Sequence, residues 1–429
     1  MRTADPRPAR AGRTVTARPR AFAVDRTRWP DVAVPPDVSW ARTAVTAAVV
    51  RGALRDLPLH VRFPDGSSIG AGGPVLDVRD PEAFHARIGS QGLVGFGESY
   101  MAGEWDAPDL VAALTVLAGN AARLIPRPLQ RLRGMWAPRR PDSERNTPGG
   151  ARDNISRHYD LSNDLFALFL DDTLTYSAAL FGTFPATWEV LPAAQHRKID
   201  RLLDLADVRE GTRLLEIGTG WGELAIRAAA RGAHVTSLTL SREQRDLALE
   251  RVAAAGLTDL VRVELRDYRE ARGAYDAVVS VEMVEAVGAE FWPVYFRALD
   301  DLLVPGGKVA LQAITMPHDR MLASRDTFTW IHKYVFPGGL LPSVEAVAET
   351  VRGHTALRVA RRDAFGEHYA ETLRLWRERF AERADEVSAL GFDATFRRMW
   401  TFYLAYSEAG FRSGYLDVQQ YLLTKEAPR

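Results

Sequence analysis

Cysteine is absent from this chain of 429 residues. Its absence excludes disulfide bonds, thiolate metal ligands and cysteine nucleophiles, and it is compatible with a reducing cytoplasm. An excess of charge is absent too, because 55 basic side chains balance 55 acidic ones. The chain as a whole therefore has no electrostatic preference for nucleic acid or for an anionic surface.

Long apolar runs are also missing, because no stretch reaches the about 18 apolar residues that a transmembrane helix needs. The first residues, MRTADPRPARAGRTVTARPR, are rich in arginine but lack the apolar segment of a secretory signal. We predict that residues 1–36 form a disordered basic tail. The histidines show no spacing typical of metal ligands, so we predict no metal site.

A second basic segment, Arg123 to Asn154, is rich in arginine, proline and glycine. Such segments are usually solvated linkers, but attraction to an anionic membrane surface is an alternative. No recognition motif for nucleic acid accompanies it. We place a basic linker at residues 126–152, between a small N-terminal α+β domain at 37–125 and a larger domain at 153–425. In the small domain, apolar and polar residues alternate around a Pro-Asp-Gly turn, which predicts a hairpin. An amphipathic helix is expected from about Pro108.

The larger domain contains LLEIGTGWGELA, Leu214 to Ala225. A short apolar strand pattern is followed by glycines and a helical pattern, a combination that lets backbone approach a ligand closely. Four more strand patterns follow, AHVTSLTLS, VRVELRDY, YDAVVSVEMVEAVG and LVPGGKVALQAIT. Their alternation with helices predicts an α/β fold, a doubly wound parallel sheet that binds its ligand at the carboxyl ends of the strands.

The glycines form G-x-G-x-G, which differs from the dinucleotide fingerprint, although a nucleotide-binding dehydrogenase stays an alternative. The pattern resembles the class I S-adenosylmethionine-dependent methyltransferases. That resemblance implies that Glu216 faces the glycine loop and the amino-acid portion of the cofactor. The second strand ends in LTLSREQ, without the acid that usually binds the ribose hydroxyls. Thr239 and Gln244 offer uncharged hydrogen bonds in its place.

A narrower resemblance spans about residues 40–425. It is carried by T-L-S-x-x-Q, NISRHYDLSNDLFALFLDDTLTYSAALF, SVEMVEAVG, HKYVFPGGLLPS, HYAETLRLW and FYLAYSEAGFRSGYLDVQQ, with GFGESYMAGEWD in the N-terminal domain. These motifs resemble the cyclopropane-fatty-acid synthases and the related mycolic-acid and tuberculostearic-acid-type lipid methyltransferases. The resemblance implies a Rossmann-like class I methyltransferase sheet with helical insertions around the acyl site.

The resemblance also implies a reaction. Members of this family transfer the methyl group of S-adenosylmethionine to a cis double bond, and the carbocation then loses a proton to bound bicarbonate. Ring closure gives a cyclopropane, whereas a prior hydride shift gives a methylene group of the 10-methylene-stearoyl type, which a separate reductase could convert to a methyl branch. The implied bicarbonate site consists of the Glu285 carboxylate, the Tyr369 hydroxyl, the backbone at Ala178 and Gln312.

Two departures from the family bear on the product. Gln312 stands where cyclopropane synthases commonly have histidine, and Ala286 replaces the histidine that follows Glu285. Gln312 can donate a hydrogen bond to an anion but takes up no proton at neutral pH, so cyclopropane and methylene products both stay open. Glu285 could instead be a helix N-terminal carboxylate, and Tyr369 a half-buried aromatic.

The cofactor and the acyl chain are assigned to separate residues by the same resemblance. The cofactor set is Tyr176, Ser177, Glu216, Gly218 and Gly220 for the methionine portion, Thr239 and Gln244 for the ribose, and Asp267 and Tyr268 for the adenine. Asp267 could instead be a solvated turn acid. The aromatic side chains after the fifth strand are expected to line an apolar acyl tunnel, with a core patch as the alternative. They include Trp330, Tyr334 and Phe336.

We therefore predict a cytoplasmic enzyme, peripheral at the inner face of the membrane, whose substrate is an anionic phospholipid with an unsaturated acyl chain. A homodimer is compatible with this prediction. A nucleic-acid methyltransferase is disfavoured, because Ser280-Val281-Glu282-Met283 stands where base amino-methylases carry Asn/Asp-Pro-Pro-aromatic. A non-catalytic lipid-binding homologue and a methyltransferase for another substrate stay as alternatives.

Overall fold

The computed structural model describes residues 22–121, 162–325 and 327–426, with residues 141, 146, 147 and 150 between the first two ranges. The predictions for residues 1–21 and for most of the basic segment from Arg123 to Asn154 lie outside the described residues. None of the helices in the described ranges combines the length and the hydropathy of a membrane-spanning segment.

The N-terminal region builds a small mixed sheet flanked by helices. Its elements are α1 (Pro30–Ala33), α2 (Trp40–Leu54), β1 (His60–Arg62), β2 (Ser68–Ile69), β3 (Val75–Val78), α3 (Pro81–Gln91), α4 (Leu93–Met101), β4 (Trp105–Asp106) and α5 (Leu110–Gly119). The strand order is β2-β1-β3-β4. The predicted hairpin is confirmed, because β1 pairs antiparallel with β2. Ser39, Asp80 and Asp109 cap α2, α3 and α5 by accepting a backbone N–H of the first turn, which fixes where these helices begin.

Residues 22–36 differ from the predicted disordered tail. Val32 is fully buried, and Arg87 donates hydrogen bonds to the carbonyls of Asp31 and Val32, both at 2.6 Å. Trp29 Nε1 donates to Asp393 at 2.8 Å. For these residues the prediction of disorder is wrong, because the apolar side chains of Trp29 and Val32 pack the segment against the folded chain despite its many arginines.

The larger sheet has seven strands in the order β7-β6-β5-β8-β9-β11-β10. The first five in the chain are β5 (Arg213–Ile217), β6 (His234–Thr239), β7 (Val261–Leu265), β8 (Tyr275–Val281) and β9 (Leu303–Thr315). They are mutually parallel, so the predicted doubly wound sheet is confirmed. β5 lies between β6 and β8, and this reversal of strand order is where such sheets open a ligand crevice.

Two antiparallel strands extend this sheet beyond the prediction. They are β10 (Leu357–Ala364) and β11 (Asp417–Lys425), and β11 lies between β9 and β10. β10 has a single buried residue, its first, so its sequence lacks the apolar alternation of a recognisable strand. β11 pairs with residues more than 100 positions earlier, such as Gln312 opposite Gln420.

Helices cover both faces of the sheet and one of its ends. They are α6 (Asn163–Phe169), α7 (Leu191–Leu205), α8 (Glu223–Ala230), α9 (Arg242–Ala254), α10 (Val284–Val287), α11 (Trp292–Leu302), α12 (His318–Ser324), α13 (Trp330–Tyr334), α14 (Val344–His354), α15 (Gly366–Glu382), α16 (Ala384–Ala389) and α17 (Ala394–Arg412). Short 3₁₀ turns lie at Trp188–Val190, Tyr268–Glu270 and Ala289–Phe291. The C-terminal motif HYAETLRLW lies in α15, and FYLAYSEAGFR lies at the end of α17.

The core contains an aromatic layer at one end of the sheet. Phe166 and Phe169 of α6 pack against Trp376 of α15 and Trp400 of α17, and all four side chains are fully buried. The same hydrophobic cluster includes N-terminal residues such as Trp105. The N-terminal region and the helical layer are thus packed into one continuous apolar core.

Candidate active site

The glycine loop after β5 has the backbone conformation of a close-approach turn. Gly218 and Gly220 both have positive φ, +98° and +52°. A Cβ on Gly218 would lie 2.6 Å from Met283 Cγ, whereas a Cβ on Gly220 would meet nothing within 4 Å. Gly218 is therefore required both for backbone conformation and for packing, and Gly220 for backbone conformation alone.

A cleft opens where β5, β6, β7 and β8 end. Its lining includes five of the predicted cofactor residues: Gly218, Thr239, Gln244, Asp267 and Tyr268. Met283, Asn146 and Arg269 line it too. This is the crevice at the switch point of the sheet, so the described structure brings these sequence-predicted residues together.

Hydrogen bonds hold the polar lining of this cleft. The Thr239 hydroxyl donates to Gln244 Oε1 at 2.9 Å, so the two uncharged residues assigned to the ribose form a pair. Arg269 donates to both carboxylate oxygens of Asp267, at 2.8 and 2.6 Å. Asp267 is buried and ion-paired, which argues against a solvated turn acid.

Four other predicted cofactor residues, Gly220 of the glycine loop among them, are not part of the cleft lining. Glu216 is buried and accepts a hydrogen bond from Ser237 Oγ, which in turn bonds the loop residue Thr219. Burial raises the pKa of Glu216 to about 8. The Tyr176 hydroxyl shares a 2.7 Å hydrogen bond with Tyr403, and Ser177 accepts one from Lys198 Nζ at 2.6 Å.

The carboxylate of Glu282 accepts three hydrogen bonds, a group we call the Glu282 cluster. The backbone N–H of Ala178 donates to Oε1 at 3.1 Å, Gln312 Nε2 donates to Oε1 at 2.9 Å, and the Tyr369 hydroxyl donates to Oε2 at 2.7 Å. All three donor residues are buried, whereas Glu282 itself is half-buried. The structure thus brings together three of the four residues of the implied bicarbonate site, and the carboxylate between them is Glu282.

Two of these donors have fixed orientations. Gln420 Nε2 donates to Gln312 Oε1 at 2.9 Å, so the amide of Gln312 must present its NH₂ group to Glu282. The Tyr369 ring stacks on Phe411 with centroids 4.5 Å apart. Burial raises the pKa of the Tyr369 hydroxyl well above its ordinary value, which keeps this group a donor.

Glu285, the predicted carboxylate, lies in α10 and makes different contacts. One carboxylate oxygen accepts the backbone N–H of Ile314, and its Oε2 is buried without a partner among the described residues. Burial, with the neighbouring charge of Glu282, raises the pKa of Glu285 to about 8. The donors expected around Glu285 therefore bond to Glu282, three residues earlier and outside the helix.

A buried lysine faces these carboxylates. Lys198 of α7 is 1% exposed. Burial lowers its pKa to about 8, against the opposing charges of Glu282, Asp171 and Glu216. An ammonium group in this position partly neutralises the negative charge gathered at the carboxyl edge of the sheet.

The comparisons with known proteins assign the family. The family model "Mycolic acid cyclopropane synthetase" matches residues 147–421. Tuberculostearic acid methyltransferase UfaA1 of Mycobacterium tuberculosis is 55% identical over 422 residues, which cover 96% of this chain and 99% of that protein. The chain belongs to the mycolic acid cyclopropane synthetase family.

Two further relatives agree with this assignment. Cyclopropane-fatty-acyl-phospholipid synthase of Escherichia coli is 31% identical, over 84% of this chain and 90% of that protein. The crystal structure of mycolic acid cyclopropane synthase CmaA1 with SAH and CTAB is 33% identical, with a TM-score of 0.59 over 64% of this chain and 98% of that one. The predicted family and class I fold are confirmed, and this family member is an S-adenosylmethionine-dependent fatty acid methyltransferase.

The aromatic residues predicted for the acyl tunnel lie in the core next to the N-terminal helices. Trp330 is 4% exposed and its Nε1 donates to Met101 Sδ at 3.3 Å. The Tyr334 hydroxyl donates to Glu98 at 2.8 Å, and Phe336 packs on Tyr403. These contacts favour the core-patch alternative for Trp330 and Tyr334.

Sequence reasoning missed Glu282, Lys198 and Gln420. A signal for Glu282 was present, because SVEMVEAVG places a second glutamate directly at the carboxyl end of β8, where such sheets hold functional groups. Lys198 and Gln420 carry no comparable local signal. Within the described residues, no cluster of three or more His, Asp or Glu side chains could hold a metal ion.

Proposed function

We propose that this family member methylates the cis double bond of an unsaturated acyl chain in a membrane phospholipid. The observation that carries the proposal is the junction of Glu282 and Met283. Met283 lines the cleft, and the residue before it is the acceptor of the Glu282 cluster. A methyl donor in the cleft would therefore lie beside polar groups that can stabilise a cation and take up its proton.

The cleft residues fit the methyl donor. S-adenosylmethionine, when bound, supplies an electrophilic methyl group. Gly218 would leave its backbone open to the ligand, and Thr239 and Gln244 would offer a hydroxyl and an amide to the ribose. Asp267 and Tyr268 would border the adenine. Tyr176 and Ser177 stay assigned to the methionine portion, since Ser177 directly precedes the cluster donor Ala178.

The helical layer excludes water from the reacting atoms. Phe166, Phe169, Trp376 and Trp400 are fully buried on the side of the cluster that α6, α15 and α17 cover. An alkene is a weak nucleophile, and its carbocation would be captured by water, so a dry surface beside the double bond is required. The proton acceptor is then either bound bicarbonate or a carboxylate of the chain itself.

We assign the methylene product rather than the cyclopropane. Identity is 55% to a protein named tuberculostearic acid methyltransferase but 31% to one named cyclopropane-fatty-acyl-phospholipid synthase. Gln312, in place of the histidine common in cyclopropane synthases, agrees with this assignment. A methylene product requires a separate reductase to become a methyl branch.

Contact with the membrane is assigned to the N-terminal region. The Trp40 side chain is 84% exposed and Val45 64% exposed on α2, and the same helix carries Arg42 and Arg51. Exposed apolar groups beside basic ones suit the inner, anionic face of a membrane, where they give peripheral binding. The arginines of the Arg123–Asn154 segment are proposed to add to this attraction. A homodimer would double the contact.

Product analysis tests the proposal. The full chain is incubated with S-adenosylmethionine and oleoyl phospholipid vesicles, and the extracted acyl chains are examined by proton NMR. Vinylidene protons are the expected result, whereas high-field ring protons would replace the methylene assignment by a cyclopropane. Stearoyl vesicles, which lack a double bond, are the matched control. A cofactor-bound protein that leaves all unsaturated chains unchanged would overturn the proposal in favour of a non-catalytic homologue.

A further inference from the structure

The hydrogen bonds at the Glu282 cluster do not fit a bound bicarbonate ion. The resemblance assigns bicarbonate to Ala178 N–H, Gln312, Tyr369 and Glu285, and three of these groups donate to Glu282 instead. Gln312 has no second orientation to offer, because Gln420 fixes its amide. The donors that an anion would need are already paired with an anion of the chain.

Charge at this edge of the sheet also disfavours a further anion. The charge of Glu282 contributes to the raised pKa of Glu285, and Lys198 is the cation that acts on Glu282. A bicarbonate ion would add a second negative charge beside Glu282 and raise the free energy of the site, because like charges disfavour ionisation in a partly desolvated position.

The backbone at Glu282 is held in an unusual conformation. Its φ is +53°, in the left-handed region that favours glycine. Such a conformation is strained in a non-glycine residue and persists where the surroundings over-determine it. Here the Glu282 N–H donates to the Gln312 carbonyl at 2.8 Å, and the side chain meets its three donors.

From these contacts we infer that the Glu282 carboxylate takes the place of bicarbonate and is the general base of the reaction, an inference that rests on the proposed methyl transfer. The methyl carbon bonds to one alkene carbon as its bond to sulfur breaks, and the sulfur keeps that electron pair. A hydride shift moves the positive charge to the methyl-bearing carbon. Glu282 then accepts a methyl proton, and the C–H electron pair becomes the new C=CH₂ bond.

The environment of Glu282 suits this role. Its three partners all donate, so they match an ionised carboxylate, which accepts only. Desolvation raises the pKa of Glu282, and a raised pKa makes a carboxylate a better proton acceptor. Its partial exposure leaves one side open to a reacting group, whereas Glu285 is more buried and bonds the backbone of Ile314.

Bicarbonate dependence tests the inference on the full-length protein. Turnover is measured with S-adenosylmethionine and oleoyl phospholipid vesicles, in buffer freed of carbon dioxide and in buffer with added bicarbonate. The wild-type rate should be the same in both. Glu282→Gln should bind S-adenosylmethionine with unchanged affinity and lose turnover by about 100-fold or more, the usual contribution of a general base.

Glu282→Gly sharpens the test, because glycine adopts the φ of this position without strain. The variant also lacks the carboxylate, so the space between the three donors is left empty. In this variant the three donors become free to bind an external anion, so added bicarbonate should restore part of the turnover. Glu282→Asp should remain active with a larger kinetic isotope effect when the methyl group of the donor is deuterated, since proton loss becomes slower. A merely structural role would change neither bicarbonate dependence nor this isotope effect.

Glu349→Gln, the same substitution at an exposed helical position, is the matched control and should leave turnover unchanged. A wild-type rate that falls when bicarbonate is removed, or a Glu282→Gln protein that keeps its turnover, would overturn the inference while leaving the proposed function intact. Absence of any product from cofactor-bound wild type would overturn the proposed function itself.

Discussion

The cofactor cleft and the Glu282 cluster share one edge of the sheet but are built differently. The cleft is made by the turns that end consecutive parallel strands, and its key requirement is the backbone of Gly218. The cluster takes its groups from the segment before α7, the end of β8, the strand β9 and the helix α15. The proposed cofactor site is thus encoded locally, whereas the position of the proposed proton acceptor depends on the whole tertiary structure.

The largest expected effect is a loss of turnover without a loss of cofactor affinity, on substitution of a residue of the Glu282 cluster. Tyr369→Phe removes one of the three donors that position Glu282 and should lower kcat by about 100-fold, because a misplaced catalytic group loses its near-attack geometry. Affinity for S-adenosylmethionine should stay unchanged, which isothermal titration can measure. Tyr421→Phe is the control, since that buried hydroxyl has no partner among the described residues. Loss of cofactor affinity in Tyr369→Phe would mean that the two regions are one site.

A substitution in the cleft should have the opposite result and weaken cofactor binding. Gly218→Ala places a Cβ 2.6 Å from Met283 Cγ on a backbone with φ +98°. The new Cβ must displace Met283, which lines the cleft, and a cost of about 1–3 kcal/mol should weaken S-adenosylmethionine binding by roughly 5- to 150-fold. Gly211→Ala is the control, because its φ is also positive but nothing lies within 4 Å of the new Cβ. Equal affinities for the two variants would show that close approach at Gly218 is unimportant.

A third prediction concerns stability. Burial raises the pKa of Glu285 from 4.5 to about 8, so between these values the folded protein holds a proton that the unfolded chain releases. Its contribution to the free energy of unfolding therefore falls as pH rises through this window, with a slope of up to about 1.4 kcal/mol per pH unit. Urea unfolding at several pH values should show a weaker fall in Glu285→Gln. Identical slopes in both proteins would contradict a raised pKa.

The smallest expected effect is on membrane binding by α2, which lies outside both the cleft and the cluster. Trp40→Ser should weaken co-sedimentation with anionic vesicles by roughly threefold, or ~0.6 kcal/mol, because an exposed side chain is removed from the membrane contact. Trp40→Phe should keep most of the binding, and neither variant should alter S-adenosylmethionine affinity. Unchanged sedimentation of Trp40→Ser would move the membrane contact away from α2.

The same contrast explains what the sequence could predict. β5 to β9 are buried parallel strands, which read as short apolar runs, and the glycine turn follows the first of them, so the sheet and most of the cleft were predictable. Tyr369, Gln312 and Ala178 came from motif resemblance. Their common partner did not, because the choice between Glu282 and Glu285 depends on which carboxylate three distant donors face. The contacts of Trp330 depended on packing with N-terminal residues and were equally hidden.

The late position of β11 has a consequence for biosynthesis. Gln420, on the last described strand, fixes the amide of Gln312 from a place between β9 and β10 in the sheet. A nascent chain can form β5 to β9 and the glycine turn before β11 has been synthesised, because all of these elements precede β11 in the chain. The donor set around Glu282 is complete only after β11 inserts. The proposed cofactor site therefore needs only β5 to β9, whereas the proposed methyl-transfer site also needs β11 in the sheet.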